Sequence, residues 1–199
     1  QPAGNKITGN PSSHPALSVK WVEDFPDIPL NRNEAYKLRV TSKGVEIEAI
    51  TETGVYRAIQ TLRQLTEKKG NGIAITGCEI TDWPAFRIRG FMQDVGRTYI
   101  STDELKREIA ILARYKINVF HWHLTENQAW RLQSKVFPML NDSVNTTRQP
   151  GKYYTLEEAR ELAAFCKQHH VLLIPEIDMP GHSAAFVRTF RMTCKARKG

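Results

Sequence analysis

The chain has 199 residues, 41% of them hydrophobic, which is enough for one ordinary domain or two small ones with real cores. No run approaches the roughly 18 uninterrupted apolar residues of a membrane span, and Gln1-Pro2-Ala3-Gly4 lacks the charged-then-apolar order of a signal peptide, so the expectation is a cytosolic protein or one whose signal was removed. The formal charge of +7 excludes little by itself, but five basic residues and no acid lie between Val187 and Gly199; without those five, 23 basic residues face 21 acidic ones, so the excess belongs to a tail and no nucleic-acid partner is expected.

Residues 1 to 33 are rich in Pro, Asn, Ser and Gly, with short apolar runs such as Leu17 to Val22, and read as strand-and-turn material at a domain edge. Tyr36 to Val40 and Val45 to Ile50 each alternate apolar with polar around Ser42-Lys43-Gly44, predicting a hairpin. After Gly54, the positions Val55, Ile59 and Leu62, flanked by Tyr56 and Leu65, recur at helical spacing, and Lys68-Lys69-Gly70 supplies a helix stop. Asp82-Trp83-Pro84 marks a boundary, giving a small α/β N-terminal domain over 1–84 and a second domain over 85–199.

Beyond the boundary, strand and helix alternate. Ile88 to Asp94 reads as a strand, and Ser101-x-x-Glu104 as a capping box opening a helix with Leu105, Ile109, Leu112 and Ala113 on one face. Ile117 to Leu124 is the next strand. Thr155-x-x-Glu158 is a second capping box, before a helix with Ala159, Leu162 and Cys166 inward, and Val171 to Ile174 is a strand buried on both faces. The repeated β-α-β order predicts three parallel strands with the helices on one side. Cys78, Cys166 and Cys194 are odd in number and far apart, so they read as free thiols, two of them buried. Asn141-Asp142-Ser143 and Asn145-Thr146-Thr147 match the glycosylation pattern, which is common by chance.

Polar residues that are costly to bury collect on these strands: Arg89 and Asp94 on the first, His121, His123, Glu126 and Asn127 at the end of the second, and Glu176, Asp178 and His182 at the end of the third. Parallel βα folds carry their sites at the carboxyl ends of the strands, so Arg89, Glu126, Asp178 and His182 are expected to cluster there. Plainer readings exist. Arg89 with Asp94 fits a structural ion pair, His121 a hydrogen-bonded core histidine, and Trp122 and Trp130 core packing. His182, projected by the Pro180-Gly181 turn, reads as functional. A rival class is a metal-dependent hydrolase using His121 and His123, with Glu176, Asp178 and His182 nearby.

The segments Phe86-Arg87-Ile88-Arg89-Gly90-Phe91-Met92-Gln93-Asp94-Val95-Gly96-Arg97, Tyr115-Lys116-Ile117-Asn118-Val119-Phe120-His121-Trp122-His123-Leu124-Thr125 and Pro175-Glu176-Ile177-Asp178-Met179-Pro180-Gly181-His182 resemble the opening of the catalytic barrel of family 20 glycoside hydrolases, the β-N-acetylhexosaminidases. Gly54 to Leu65 resembles the helix of the small domain that precedes that barrel. The resemblance implies an α/β protein: a small N-terminal α/β domain, then the first part of a (β/α)8 TIM barrel. It implies hydrolysis of terminal β-linked N-acetylhexosamines on glycans, no cofactor or metal, and a periplasmic, extracellular or lysosome-like location. In this family the substrate's own acetamido oxygen attacks the anomeric carbon, an Asp orients that group, and a neighbouring Glu acts as acid and base.

By the same resemblance Arg89 holds sugar hydroxyls and His182 supports the acid Glu, while Glu126, Glu176 and Asp178 support the site from behind. Glu126-Asn127-Gln128 stands where the family usually has Asp-Asp-Gln, and Ala129 where it has Gly. The catalytic Asp-Glu pair would come from the end of a fourth strand, and no Asp-Glu follows His182. The expectation is therefore a chain truncated after the third barrel strand, inactive alone and self-associating through uncovered strands. The basic tail after Phe190 raises the expectation of a shifted reading frame. A non-catalytic carbohydrate-binding fragment is the third reading.

Overall fold

The computed structural model describes the backbone of residues 6–8 and 16–196 and the side chains of residues 16–190. The Arg191, Lys195, Arg197 and Lys198 side chains of the basic tail, and the Cys194 thiol, lie outside the described residues, as does most of the stretch before Ala16. The chain divides into two compact units, residues 1–88 and 89–199.

The first unit contains β1 (Lys6–Thr8), β2 (Ala16–Trp21), β3 (Tyr36–Thr41), β4 (Gly44–Ala49), α1 (Glu52–Leu65), β5 (Thr66–Lys69), β6 (Gly72–Thr76) and β7 (Cys78–Asp82). One sheet runs β2-β4-β3-β7, with β2 parallel to β4 and the other neighbours antiparallel. The alternation read from sequence sets its two faces. Tyr36, Leu38, Val40, Val45 and Ile47 are buried against α1 through Val55, Ala58, Ile59 and Leu62. Lys37 and Arg39 on the other face stand opposite Glu48 and Glu46. Gly44 is required where β2 meets the hairpin: a Cβ there would lie 2.4 Å from the Ala16 carbonyl oxygen.

The helix stop differs from expectation. α1 ends at Leu65, and Lys68-Lys69-Gly70 belongs to a hairpin, β5 pairing with β6 around Gly70 and Asn71 in a second sheet of order β1-β6-β5. Gly70 adopts φ +59°, the left-handed conformation that tight hairpin turns need. Cys78 and Cys166 are free thiols as expected, but only Cys166 is buried; Cys78, on an outer strand, is half-buried.

The second unit contains β8 (Gly90–Asp94), α2 (Thr102–Arg114), β9 (Val119–His123), α3 (Leu156–Gln168), β10 (Leu172–Glu176) and α4 (Ala184–Ala196). The three strands are parallel in the order β10-β9-β8. Both capping boxes form: Ser101 with Glu104 and Thr155 with Glu158 each exchange side-chain and backbone bonds. α2 turns Leu105, Ile109 and Ala113 inward, and α3 does so with Leu162 and Cys166. The burial of the strands corrects the sequence reading. β9 is the buried strand, through Val119, Phe120, Trp122 and His123, whereas Leu172 and Ile174 on β10 are 61% and 42% exposed. Apolar composition made β10 look central, but in this strand order it has a partner on one side only.

Candidate active site

Strand register puts Asp94, His123 and Glu176 in one row that ends the parallel sheet. The backbone N–H groups of Val95 and Gly96 both donate to the His123 carbonyl, at 3.1 and 3.2 Å, which turns the chain over the end of β9. Only glycine fits at 96, because a Cβ would fall 2.8 Å from Glu126 Cβ and 3.0 Å from the Thr125 carbonyl carbon. This close approach delivers Arg97 to the site. Its backbone N–H donates to Asp94 Oδ1 at 3.0 Å and its guanidinium pairs with the same carboxylate, while Nη2 reaches Glu126 Oε1 at 2.5 Å.

Glu126 is 1% exposed. Its backbone N–H donates to the Ala129 carbonyl at 2.9 Å, beside a bridge between Thr125 and Trp130, so the carboxylate is fixed by a tight turn after β9. The Oε1 atom that Arg97 touches also contacts His182 Nδ1. A buried carboxylate thus lies between two half-exposed groups, Arg97 and His182, that offset the cost of removing its charge from water. His182 sits after a cis Met179–Pro180 bond with φ +49°, a left-handed conformation uncommon outside glycine.

Glu176 holds two histidines: Oε2 contacts His121 Nε2, and Oε1 lies 3.0 Å from His123 Nδ1. Burial alone would raise the Glu176 carboxyl, but hydrogen bonds from Asp178 and His123 and electrostatic interaction with His123 and His121 outweigh it and hold it below the ordinary value. Asp178 moves the other way. Its hydrogen bond to Glu176 is made by the protonated form, which raises its pKa, and its backbone N–H is anchored to Thr125 Oγ1 at 2.9 Å.

Asn127 has a structural role that its place beside Glu126 concealed. Its Oδ1 accepts from the Ala184 N–H at 3.2 Å, at the first turn of α4, and Arg188 Nη2 donates to the carbonyls of Asn127 and Asn145 at 2.7 and 2.8 Å. Trp130, Phe186, Phe190 and Phe137 continue that contact as a row of packed rings. The long connection from β9 to α3 is held by Arg131, which is fully buried and gives its donors to the carbonyls of Val95, Arg148, Gln149 and Lys152.

Of the residues expected at the carboxyl edge, Glu126, Glu176, Asp178 and His182 are all there, and Arg89 is not. β8 begins at Gly90, so the backbone of Arg89 precedes its amino end, five residues before Asp94, a rise of roughly 16 Å along the strand at about 3.3 Å per residue. Its Nε donates to the Lys116 carbonyl at 2.7 Å and its main chain pairs with Asn118, which ties β8 to the turn before β9. The guanidinium that meets Glu126 at this edge is that of Arg97. The sequence carried one signal for it: a charged residue three past a strand end, directly after a glycine. The rival metal reading paired His121 with His123, but Glu176 meets His121 at Nε2 and His123 at Nδ1, and of the two only His123 lies in a group of described residues close enough together to share an ion.

A model of "Glycosyl hydrolase family 20, catalytic domain" matches residues 86–198, and one of "Glycosyl hydrolase family 20, domain 2" matches residues 5–83. The beta-hexosaminidase of Porphyromonas gingivalis is 38% identical over 185 residues, covering 86% of this chain and 24% of that protein. The beta-hexosaminidase of Vibrio furnissii is 38% identical over 168 residues, covering 77% and 28% respectively. The chain therefore spans about a quarter of the length of these relatives. Among solved structures, the GH20 exo beta-N-acetylglucosaminidase of Vibrio harveyi in complex with N-acetylglucosamine matches with a TM-score of 0.77 at 34% identity, over 88% of this chain and 29% of that one. The GH20 beta-N-acetylhexosaminidase of Streptomyces coelicolor A3(2) matches with a TM-score of 0.79 at 32% identity, over 89% and 37%. With its three parallel strands forming the first part of a (β/α)8 barrel after a small α/β domain, the chain belongs to glycosyl hydrolase family 20.

Proposed function

We propose that this chain supplies part of the sugar site of a β-N-acetylhexosaminidase, which removes terminal β-linked N-acetylhexosamines from glycans by the substrate-assisted, retaining route. The observation that carries the reading is the buried Glu126 carboxylate held between Arg97 and His182 at the carboxyl edge of the strands, in a chain of this family. On this reading Arg97 takes the role that the resemblance implies for Arg89. It is half exposed, and its fork of donors suits two neighbouring sugar hydroxyls while Asp94 and Glu126 fix its direction. His182, held at Nδ1 by Glu126, has a second ring nitrogen to support an acid Glu. Glu176 and Asp178, sharing one hydrogen bond, order the floor through His123 and Thr125.

The Asp and Glu that would orient the acetamido group and protonate the leaving oxygen do not follow His182 in these 199 residues. On this reading residues 1–199 by themselves bind sugar weakly and do not turn it over. The reading also places the protein in a glycan-processing compartment: periplasmic, extracellular or lysosome-like. The test is a titration with N-acetylglucosamine followed by NMR, together with a chromogenic N-acetylglucosaminide assay. Binding lost in Arg97→Ala, without turnover, is the expected result. Binding indifferent to Arg97→Ala refutes the site, and turnover by the chain would require another carboxylate, Asp178 or Glu176 first.

A further inference from the structure

Three of the polar groups at this edge, two of which the glycosidase reading already uses, share a further geometry. His123, Glu126 and His182 each place one ligand atom within 4.8 Å of the other two. His123 Nδ1 lies 3.0 Å from the Glu176 carboxylate, an arrangement that keeps the ring proton on Nδ1 and the lone pair on Nε2. That Nε2 is buried and has no hydrogen-bond partner. A carboxylate behind one ring nitrogen and an unused acceptor at the other is how metal-bound imidazoles are ordinarily held. Glu126 adds a buried carboxylate oxygen, and His182, 43% exposed, adds a second imidazole on the solvent side.

We propose that His123, Glu126 and His182 form a binding site for one divalent cation of the zinc class. Two imidazoles and one carboxylate are a donor set that zinc accepts in tetrahedral geometry, with a water in the fourth position; magnesium and calcium favour all-oxygen sets. Ligation needs a bare nitrogen on each imidazole, so any proton on the ligating nitrogen moves to the other ring nitrogen or to solvent. Arg97 then gives up Glu126 and keeps Asp94, its other carboxylate partner. His121 plays no part, because its Nε2 is directed to Glu176. The site stands on this geometry and not on the sugar-binding role proposed above.

The experiment is calorimetric titration of the EDTA-treated, dialysed 199-residue chain with zinc chloride, with magnesium chloride as control. The expected result is one zinc ion per chain, with the dissociation constant raised at least tenfold by His182→Ala and by Glu126→Gln. His121→Ala should leave it within threefold. Arg97→Ala should tighten it, since a competing cation is removed from Glu126. His182 is partly exposed, so His182→Ala tests the site even if the buried Glu126→Gln change prevents folding. Absence of zinc binding, equal binding in His182→Ala, loss in His121→Ala, or magnesium binding as tightly as zinc would each overturn the proposal.

Discussion

Replacing Arg131 by methionine removes a buried guanidinium while keeping the length of its stem. Four hydrogen bonds are lost, and their cost is unequal. The bond from Nε to the Val95 carbonyl, 3.0 Å, is fully buried, so that carbonyl is left without water and costs about 1–3 kcal/mol. The acceptors on Arg148, Gln149 and Lys152 belong to exposed residues and can rehydrate, so each costs the smaller net value of about 0.5–1.5 kcal/mol. Against this, the variant no longer desolvates a charge; burial lowers the Arg131 pKa, the sign of that penalty. The net expectation is a loss of about 2–4 kcal/mol, or a melting temperature lower by about 5–12 °C for a chain of this length. Circular dichroism would measure the melt, and limited trypsin digestion should show faster cleavage at Arg148 and Lys152 once their loop is released. Arg131→Lys, with fewer donors, should fall between. A melting change under about 2 °C, or a rise, would show that the buried guanidinium is no net brace.

The other predictions concern single contacts. Arg89→Ala should lower the melting temperature but leave N-acetylglucosamine affinity unchanged, whereas Arg97→Ala should weaken affinity about tenfold or more, as loss of a charged hydrogen bond worth about 1.5–3 kcal/mol requires; the reverse ranking would return the site to Arg89. Asn127→Ala should cost about 1 kcal/mol by uncapping the Ala184 N–H, seen as faster hydrogen exchange at the start of α4. The hydrogen bonds of the Ser101 capping box hold Glu104 below its ordinary pKa of 4.5, so its contribution is present above pH 4.5 and lost as pH falls through the depressed value; the melting difference between this chain and Glu104→Ala should close with acid. Burial pushes the Cys166 thiol up to about 11, so iodoacetamide at pH 8 should leave it unlabelled until the chain unfolds. Phe91 and Met92 on β8, with Leu172 and Ile174 on β10, are between 38% and 61% exposed, and light scattering should find concentration-dependent association; a monodisperse monomer would count against it.

Local chemistry was legible from sequence wherever neighbours along the chain decide the structure. The two capping boxes, the alternation of β3 and β4 and the one-faced apolar pattern of α2 each depend on residues within a few positions of one another. The same is true of Glu126, Glu176, Asp178 and His182, which follow strand ends and so had to reach one edge once the strands were parallel. What the sequence could not decide is which groups meet across that edge. Arg89 and Arg97 are both arginines beside β8, and only the strand's beginning at Gly90 and the close passage of Gly96 over Glu126 send the first to the far end and the second to the site. Asn127 looked only like a departure from the family pattern until α4 docked on it, and His121 and His123 looked alike until Glu176 met one at Nε2 and the other at Nδ1. Strand order likewise separated buried β9 from exposed β10, although both are apolar. Pairing, docking and burial are contacts between distant segments, and their energies appear only when the tertiary structure brings those segments together.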